Sequence, residues 1–281
     1  MKTMMDCRLK LAPVFGMDVD ARSALWRLEE LAKEGPVAVA GRFMPDPEVG
    51  NRLAAMGVTE EVGEEDFFRY DKVVVPYAGI ARQRKKAWEN EGVPLVDLTS
   101  PQVKRAQVAL ALLRMDGGQP LVIGRHADAE SRALAEGNPG CRILEDTTDT
   151  ARLNFSPSFV AVCQTTLSPR KVSWLVQQLR HRYRDAKVNF LETLSPAMTA
   201  RERALEPLMV QADRIVIVGE PGEASCEALA ESALRKGRPS EIIAAPEFVK
   251  EPGNGRIVLT AGSFTLDVTI RKVADALLGR Q

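Results

Sequence analysis

Apolar residues along this 281-residue chain fall into two alternating rhythms. One is short and continuous. Runs rich in Val and Ile, each bounded by Gly, Pro or Asp, occupy Pro36–Ala40, Lys72–Val75, Pro94–Val96, Leu121–Ile123, Phe159–Val162, Arg214–Val218, Ile242–Ala244 and Ile257–Leu259. Unbroken runs of this length suit strands covered on both faces, as in parallel sheets flanked by helices. The other rhythm is helical. Ala24, Leu25, Leu28 and Leu31 share a face, as do Val103, Ala106, Ala109, Leu110 and Leu113. Val172, Leu175, Val176 and Leu179 form a third stripe, and Ala228, Leu229, Ala233 and Leu234 a fourth. Strand alternating with helix predicts an α/β fold with mainly parallel sheets and right-handed crossovers. Several strand ends then carry a glycine or hydroxyl residue: Tyr77-Ala78-Gly79, Ile123-Gly124-Arg125, Thr165-Thr166, Val218-Gly219-Glu220 and Ala261-Gly262-Ser263. Singly, each reads as a turn or a helix cap. Ligands of open α/β sheets bind beyond the carboxyl ends of the strands, so five such junctions together predict a common ligand face.

Charge and composition narrow the classes. Lys+Arg equal Asp+Glu at 38 each, which leaves no global field to attract nucleic acid or an anionic membrane. No stretch approaches the roughly 20 apolar residues of a membrane span. The first ten residues carry Asp6, Arg8 and Lys10 and lack a signal-peptide core. Four cysteines, none in a CxxC pair, do not make a disulfide framework. A cytoplasmic protein with reduced thiols is expected, with neither nucleic acid nor membrane as partner. Nothing resembles a P-loop or a GxGxxG turn. His126 and His181 are the only histidines. A metal set of His126, Asp128 and Glu130 lacks a second cluster of ligands. His181, among Arg180, Arg182 and Arg184, reads as a solvated helix end, and Arg82, Arg84, Lys85 and Lys86 as a solvated helix face.

Three tracts carry a resemblance. They are Val162-Cys163-Gln164-Thr165-Thr166-Leu167-Ser168, Val96-Asp97-Leu98-Thr99-Ser100-Pro101-Gln102-Val103 and Leu259-Thr260-Ala261-Gly262-Ser263. In order and spacing they resemble hydroxymethylbutenyl diphosphate reductase, the LytB family of the isoprenoid pathway. The resemblance implies three similar α/β units arranged pseudo-threefold around a central cavity. Residues 17–99 would form the first and 100–194 the second; 195–263 with 1–16 would form the third, and 264–281 a C-terminal helix. Family members hold a cubane iron–sulfur cluster with three cysteines, and the matching positions here are Gly16, Ser100 and Ser195. Cluster iron takes soft thiolate donors, which a hydroxyl or a hydrogen atom does not replace. The expectation is therefore a protein with no cofactor. A 4Fe-4S cluster enters only as an alternative, through a site rebuilt from Cys7, Cys163 and Cys226; buried structural cysteine is the commoner explanation of such thiols.

The resemblance also locates an anion site. The family's diphosphate-binding histidines match Pro45, Ala78 and Asp128, its Ser-Ser-Asn triplet matches Glu223-Ala224-Ser225, and a late serine matches Phe264. Each lost hydrogen bond to a charged ligand costs about 1.5–3 kcal/mol, and several together weaken binding by about a thousandfold. Glu220, Glu223 and Glu227 add repulsion. Glu130 matches the family's proton-delivering glutamate, and Thr165 and Thr166 the threonines beside the substrate. Read as residues alone, Glu130 compensates a helix dipole on the surface, and the threonines cap a helix with Pro169 near its first position. The expected function is a LytB-like paralogue without the cluster, non-redox, binding a small molecule in the cavity or serving a protein partner as a scaffold. Two alternatives stand beside it. One is the reductase itself, with a rebuilt or partner-supplied cluster; the other is an acid–base enzyme using Glu130, Asp128 and Thr165.

Overall fold

The computed structural model describes residues 7–250 and 255–280. It contains three four-stranded sheets, every pairing parallel. The first has the order β1 (Cys7–Leu11), β12 (Gly255–Ala261), β10 (Arg214–Val218), β11 (Ser240–Ile243). The second runs β3 (Val58–Thr59), β2 (Val37–Val39), β4 (Lys72–Val75), β5 (Leu95–Asp97). The third runs β7 (Arg142–Leu144), β6 (Gln119–Ile123), β8 (Ser158–Cys163), β9 (Lys187–Phe190). The α-helices between them are α1 (Val19–Ala32), α2 (Pro47–Ala55), α3 (Arg82–Asn90), α4 (Pro101–Met115), α5 (Ala129–Glu136), α6 (Thr147–Ala151), α7 (Pro169–Arg182), α8 (Pro196–Met209), α9 (Ala224–Arg235) and α10 (Asp267–Leu277). The α/β class read from the apolar runs is the fold observed.

The chain divides into two compact units. One comprises Met1–Arg22, Pro45–Asn51 and Pro196–Gln281 and holds the first sheet. The other comprises Ser23–Met44 and Arg52–Ser195 and holds the second and third.

Within each sheet the period-2 alternation of strand side chains sends neighbours to opposite helical layers. In the third sheet Val122, Val160 and Val162 pack against Ala106, Ala109 and Leu110 of α4. Their neighbours Ile123 and Cys163 meet Val172, Leu175 and Val176 of α7, and Leu121, Phe159 and Ala161 meet its Leu179. In the first sheet Ile215, Ile217 and Val258 lie under Leu205 of α8 and Leu229 of α9. Val216, Val218, Leu259 and Ala261 lie under Ile270, Val273 and Leu277 of α10. Each such aliphatic side chain contributes roughly 1.5–3 kcal/mol by leaving water.

The strands that the apolar runs leave unmarked, β1, β3, β7 and β9, are all sheet edges. An edge is covered less completely, so polar residues intrude, as Arg142 does in β7 and Lys187 and Asn189 in β9. One helical assignment needs correcting. Leu234 is 74 % exposed, because the buried face of α9 runs through Ala228, Leu229 and Ala233 and turns away before Leu234. Among the described residues no helix is long and apolar enough to cross a membrane.

Candidate functional site

Ionisable and polar groups converge at the carboxyl edge of the third sheet. Beyond β6 the chain turns through Gly124-Arg125-His126 into α5, whose N-cap, Asp128, accepts from the Glu130 backbone N–H at 2.9 Å. Beyond β8, Gln164 to Ser168 lead into α7, where Pro169 is the first helical residue. Gln164, fully buried, joins these segments. Its Oε1 accepts from the Arg125 N–H at 3.0 Å and the Ser131 hydroxyl at 3.1 Å, and its Nε2 donates to the Thr166 hydroxyl at 3.0 Å.

That clamp sets Glu130 against Thr165. The Thr165 backbone N–H donates to Glu130 Oε1 at 2.7 Å, and its hydroxyl donates to Oε2 at 2.8 Å. Burial pushes the Glu130 carboxyl up to about 8, aided by the charge of Asp128 and opposed by the two Thr165 hydrogen bonds. Desolvation wins because a lone carboxylate in a low-dielectric interior loses more hydration than two donors restore. Glu130 is therefore not a solvated dipole-compensating residue; it is 5 % exposed. The threonines do not cap the helix either. The N-cap of α7 is Ser168, while the Thr165 hydroxyl serves Glu130 and the Thr166 hydroxyl serves Gln164. On the neighbouring loop, Ser195 donates its backbone N–H to the Thr165 carbonyl at 2.8 Å, and Thr193 donates its hydroxyl to the Cys163 carbonyl.

Beyond the second sheet the Ser100 N–H donates to the carbonyl of Tyr77, the residue before Ala78, at 2.9 Å. Ser100 is the N-cap of α4, its hydroxyl accepting from the Gln102 N–H at 3.2 Å. Beside it, burial pushes the Asp97 carboxyl up. Hydrogen bonds from Lys85 and Thr99, and the charge of Lys104, overcome this and hold it at about 2.

Gly16, Glu223, Ser225 and Phe264 lie in the unit of the first sheet. Gly16 has φ +74°, and a Cβ placed there would stand 2.9 Å from Ile270 Cδ1. Its carbonyl accepts from Arg201, which is 1 % exposed and also donates to Asp18 at 2.7 Å and Ser263 Oγ at 2.9 Å. The Ser263 N–H in turn donates to Ser225 Oγ at 2.8 Å. Phe264, half-buried, follows Ser263. Glu223 is not a solvated carboxylate at a ligand's edge but the buried N-cap of α9. Reasoning from sequence overlooked Gln164, Ser131, Thr193 and Ser263 as site members. Only the place of Gln164 and Ser263 inside the quoted tracts pointed to them.

Three free thiols, Cys141, Cys163 and Cys226, have described side chains. Burial raises Cys163 to about 11, Cys141 to about 12, and Cys226 well above its ordinary value, so all three are neutral thiols near pH 7. Cys163 ends β8 in one unit, and Cys226 lies in the first turn of α9 in the other rather than at a strand end. The side chain of Cys7 lies outside the described residues. Gly16, Ser100 and Ser195 offer no sulfur, and among the described residues no three His, Cys, Asp or Glu converge to hold a metal ion.

Three all-parallel sheets with helices between their strands define an α/β protein. The chain belongs to the LytB protein family, whose sequence model matches residues 15–278. It is 29% identical over 290 residues to the 4-hydroxy-3-methylbut-2-enyl diphosphate reductase of Treponema denticola, an alignment covering 96% of this chain and 99% of that one. The reductase of the same name from Methylibium petroleiphilum is 28% identical over 251 residues, covering 86% and 75%. Among solved structures, E-1-hydroxy-2-methyl-but-2-enyl-4-diphosphate reductase from Plasmodium falciparum superposes with a TM-score of 0.86 at 20% identity, covering 97% of this chain and 88% of that one. These relatives overturn the expectation of a protein with no cofactor. They are named reductases and belong, like this chain, to the family whose members hold a 4Fe-4S cluster.

Proposed function

We propose that this LytB-family chain acts on a small molecule by proton transfer at the carboxyl edge of the third sheet, with Glu130 as the acid and Thr165 as its relay. The observation that carries this is a fully buried carboxyl poised at about 8 and hydrogen-bonded to one hydroxyl. A general acid works best with its pKa near the working pH. Below that value the proton rides on Glu130, and the 2.8 Å contact then runs from Oε2–H to the Thr165 hydroxyl. Thr165 can pass its own proton outward as it receives one. Gln164 holds the two elements in register and keeps Thr166 turned toward its amide.

The test is deuterium incorporation into a mixed metabolite extract in D2O, read by mass spectrometry with wild type and Glu130→Gln. Labelling by wild type alone supports the reading. Equal labelling with both proteins, including none with either, sinks it.

The relatives' named activity is a second reading, favoured by alignment along nearly the whole chain. An anaerobic assay with 4-hydroxy-3-methylbut-2-enyl diphosphate and a chemical reductant decides it. Turnover by iron-reconstituted protein would place the cluster on ligands other than residues 16, 100 and 195.

A further inference from the structure

Between the start of α3, the last turn of α4 and the end of α5 lies a cavity of about 490 Å³, all of it within the unit of the second and third sheets. Arg82 and Lys86 line it from α3, Ala111, Arg114 and Met115 from α4, and Asn138 from the turn after α5. None of its lining residues is Asp or Glu. The basic run at 82–86, a single solvated face when read from sequence, is divided in two by the fold. Arg84 bonds Glu64 at 2.7 Å and Lys85 bonds Asp97 at 2.5 Å, so these two cations are neutralised. Arg82 and Lys86 line the cavity instead, and among the described residues no carboxylate pairs with either. Spaced i,i+4 on one helix, they repel each other. Arg114 joins them from α4 and is held in place. Its Nη1 donates to Asn138 Oδ1 at 3.2 Å, and the Asn138 amide, itself buried, donates to the Leu134 carbonyl at 2.7 Å. Three like charges around one cavity, with no carboxylate among its walls, are relieved by an anion. The other side is apolar: Ala111 and the exposed Met115. A flexible thioether packs well against an aromatic ring, and the cavity has the volume of a small-molecule site.

We propose that this cavity binds a nucleotide, its phosphate groups paired with Arg82, Lys86 and Arg114 and its base packed on Ala111 and Met115. Asn138 orders the Arg114 guanidinium in advance, which lowers the entropic cost of engaging it. Neither Glu130 nor Thr165 lines the cavity, so the inference does not depend on the proton transfer proposed above.

Isothermal titration of ADP and of inorganic pyrophosphate into the full chain tests it. Wild type should bind both, ADP more tightly. The double variant Arg82→Gln with Lys86→Gln, and separately Arg114→Gln, should weaken both ligands by about tenfold or more, the effect of losing a hydrogen bond to a charged group. Arg84→Gln removes a charge from the same helix but outside the cavity, and should leave both affinities unchanged. Met115→Ala should weaken ADP alone. The substituted side chains are exposed or half-buried, so thermal melting should find every variant folded. Overturning results are a wild type that takes neither ligand, affinities indifferent to the Arg82, Lys86 and Arg114 substitutions, an equal loss with Arg84→Gln, or pyrophosphate bound as tightly as ADP. Vesicles of phosphatidylglycerol that sediment with wild type but not with the double variant would place the phosphate on a lipid headgroup and overturn the nucleotide.

Discussion

Replacing Glu130 by Gln should make the protein more stable at pH 8, and by an amount the structure sets. Gln matches Glu in shape, so its Oε1 can accept from the Thr165 N–H and its Nε2 can donate to the Thr165 hydroxyl. What the substitution removes is a proton equilibrium. In the folded chain the Glu130 carboxyl titrates at about 8, against its ordinary 4.5 in the unfolded chain. Between those values the folded state holds a proton that the unfolded state has released. Stability is therefore full below pH 4.5 and falls as pH rises through about 8. At about 1.4 kcal/mol per pH unit the whole window amounts to roughly 5 kcal/mol, of which about 3.5 kcal/mol falls between pH 5 and pH 8. The Glu130→Gln variant carries no such dependence. Urea unfolding of both proteins at pH 5, 6, 7 and 8, fitted with a common slope, measures it, and the gap in unfolding free energy should widen in favour of the variant by about 3.5 kcal/mol. Curves that stay parallel to within about 1 kcal/mol would refute a protonated, desolvated Glu130, and with it the acid on which the proposed chemistry stands.

Asp97 has the opposite sign. Its carboxyl is held at about 2, so its contribution is present above pH 3.8 and is lost as pH falls through about 2. Asp97→Asn should flatten that acid limb and cost about 1 kcal/mol at neutral pH after discounting for solvent screening, measurable by acid titration of the circular dichroism signal. Arg201→Met strands a partly buried Asp18 and two further acceptors, the Gly16 carbonyl and Ser263 Oγ, and should lower the unfolding free energy by about 3 kcal/mol, with Arg201→Lys recovering part of it. Gly16→Cys would restore a thiol at the position the resemblance matches to a cluster ligand. The left-handed backbone and the Ile270 methyl should make it destabilising by about 2 kcal/mol in a thermal melt, and an unchanged melting point would show that the backbone relaxes freely.

Much of this molecule was legible before any coordinates. The central strands announced themselves because both faces of β4, β6, β8, β10 and β12 are covered, which forces unbroken Val and Ile runs. The stripes of α4 and α7 followed from helical spacing, and the quoted tracts led to the family. Edge strands stayed hidden because a half-covered strand tolerates Lys, Arg and Asn. The sequence by itself determined the fold class, the family and the identities of Glu130, Thr165 and Glu223. Only the tertiary structure decided what those residues do. Glu130 looked like a surface residue at a helix start until burial raised its carboxyl to about 8 against the opposing Thr165 contacts. Glu223 looked like a repelling charge until the helix amides and Gly262 closed around it. The reason is that ionisation and hydrogen bonding depend on desolvation and on donors brought from distant positions. Thr165 lies 35 residues from Glu130, and no local pattern encodes that distance.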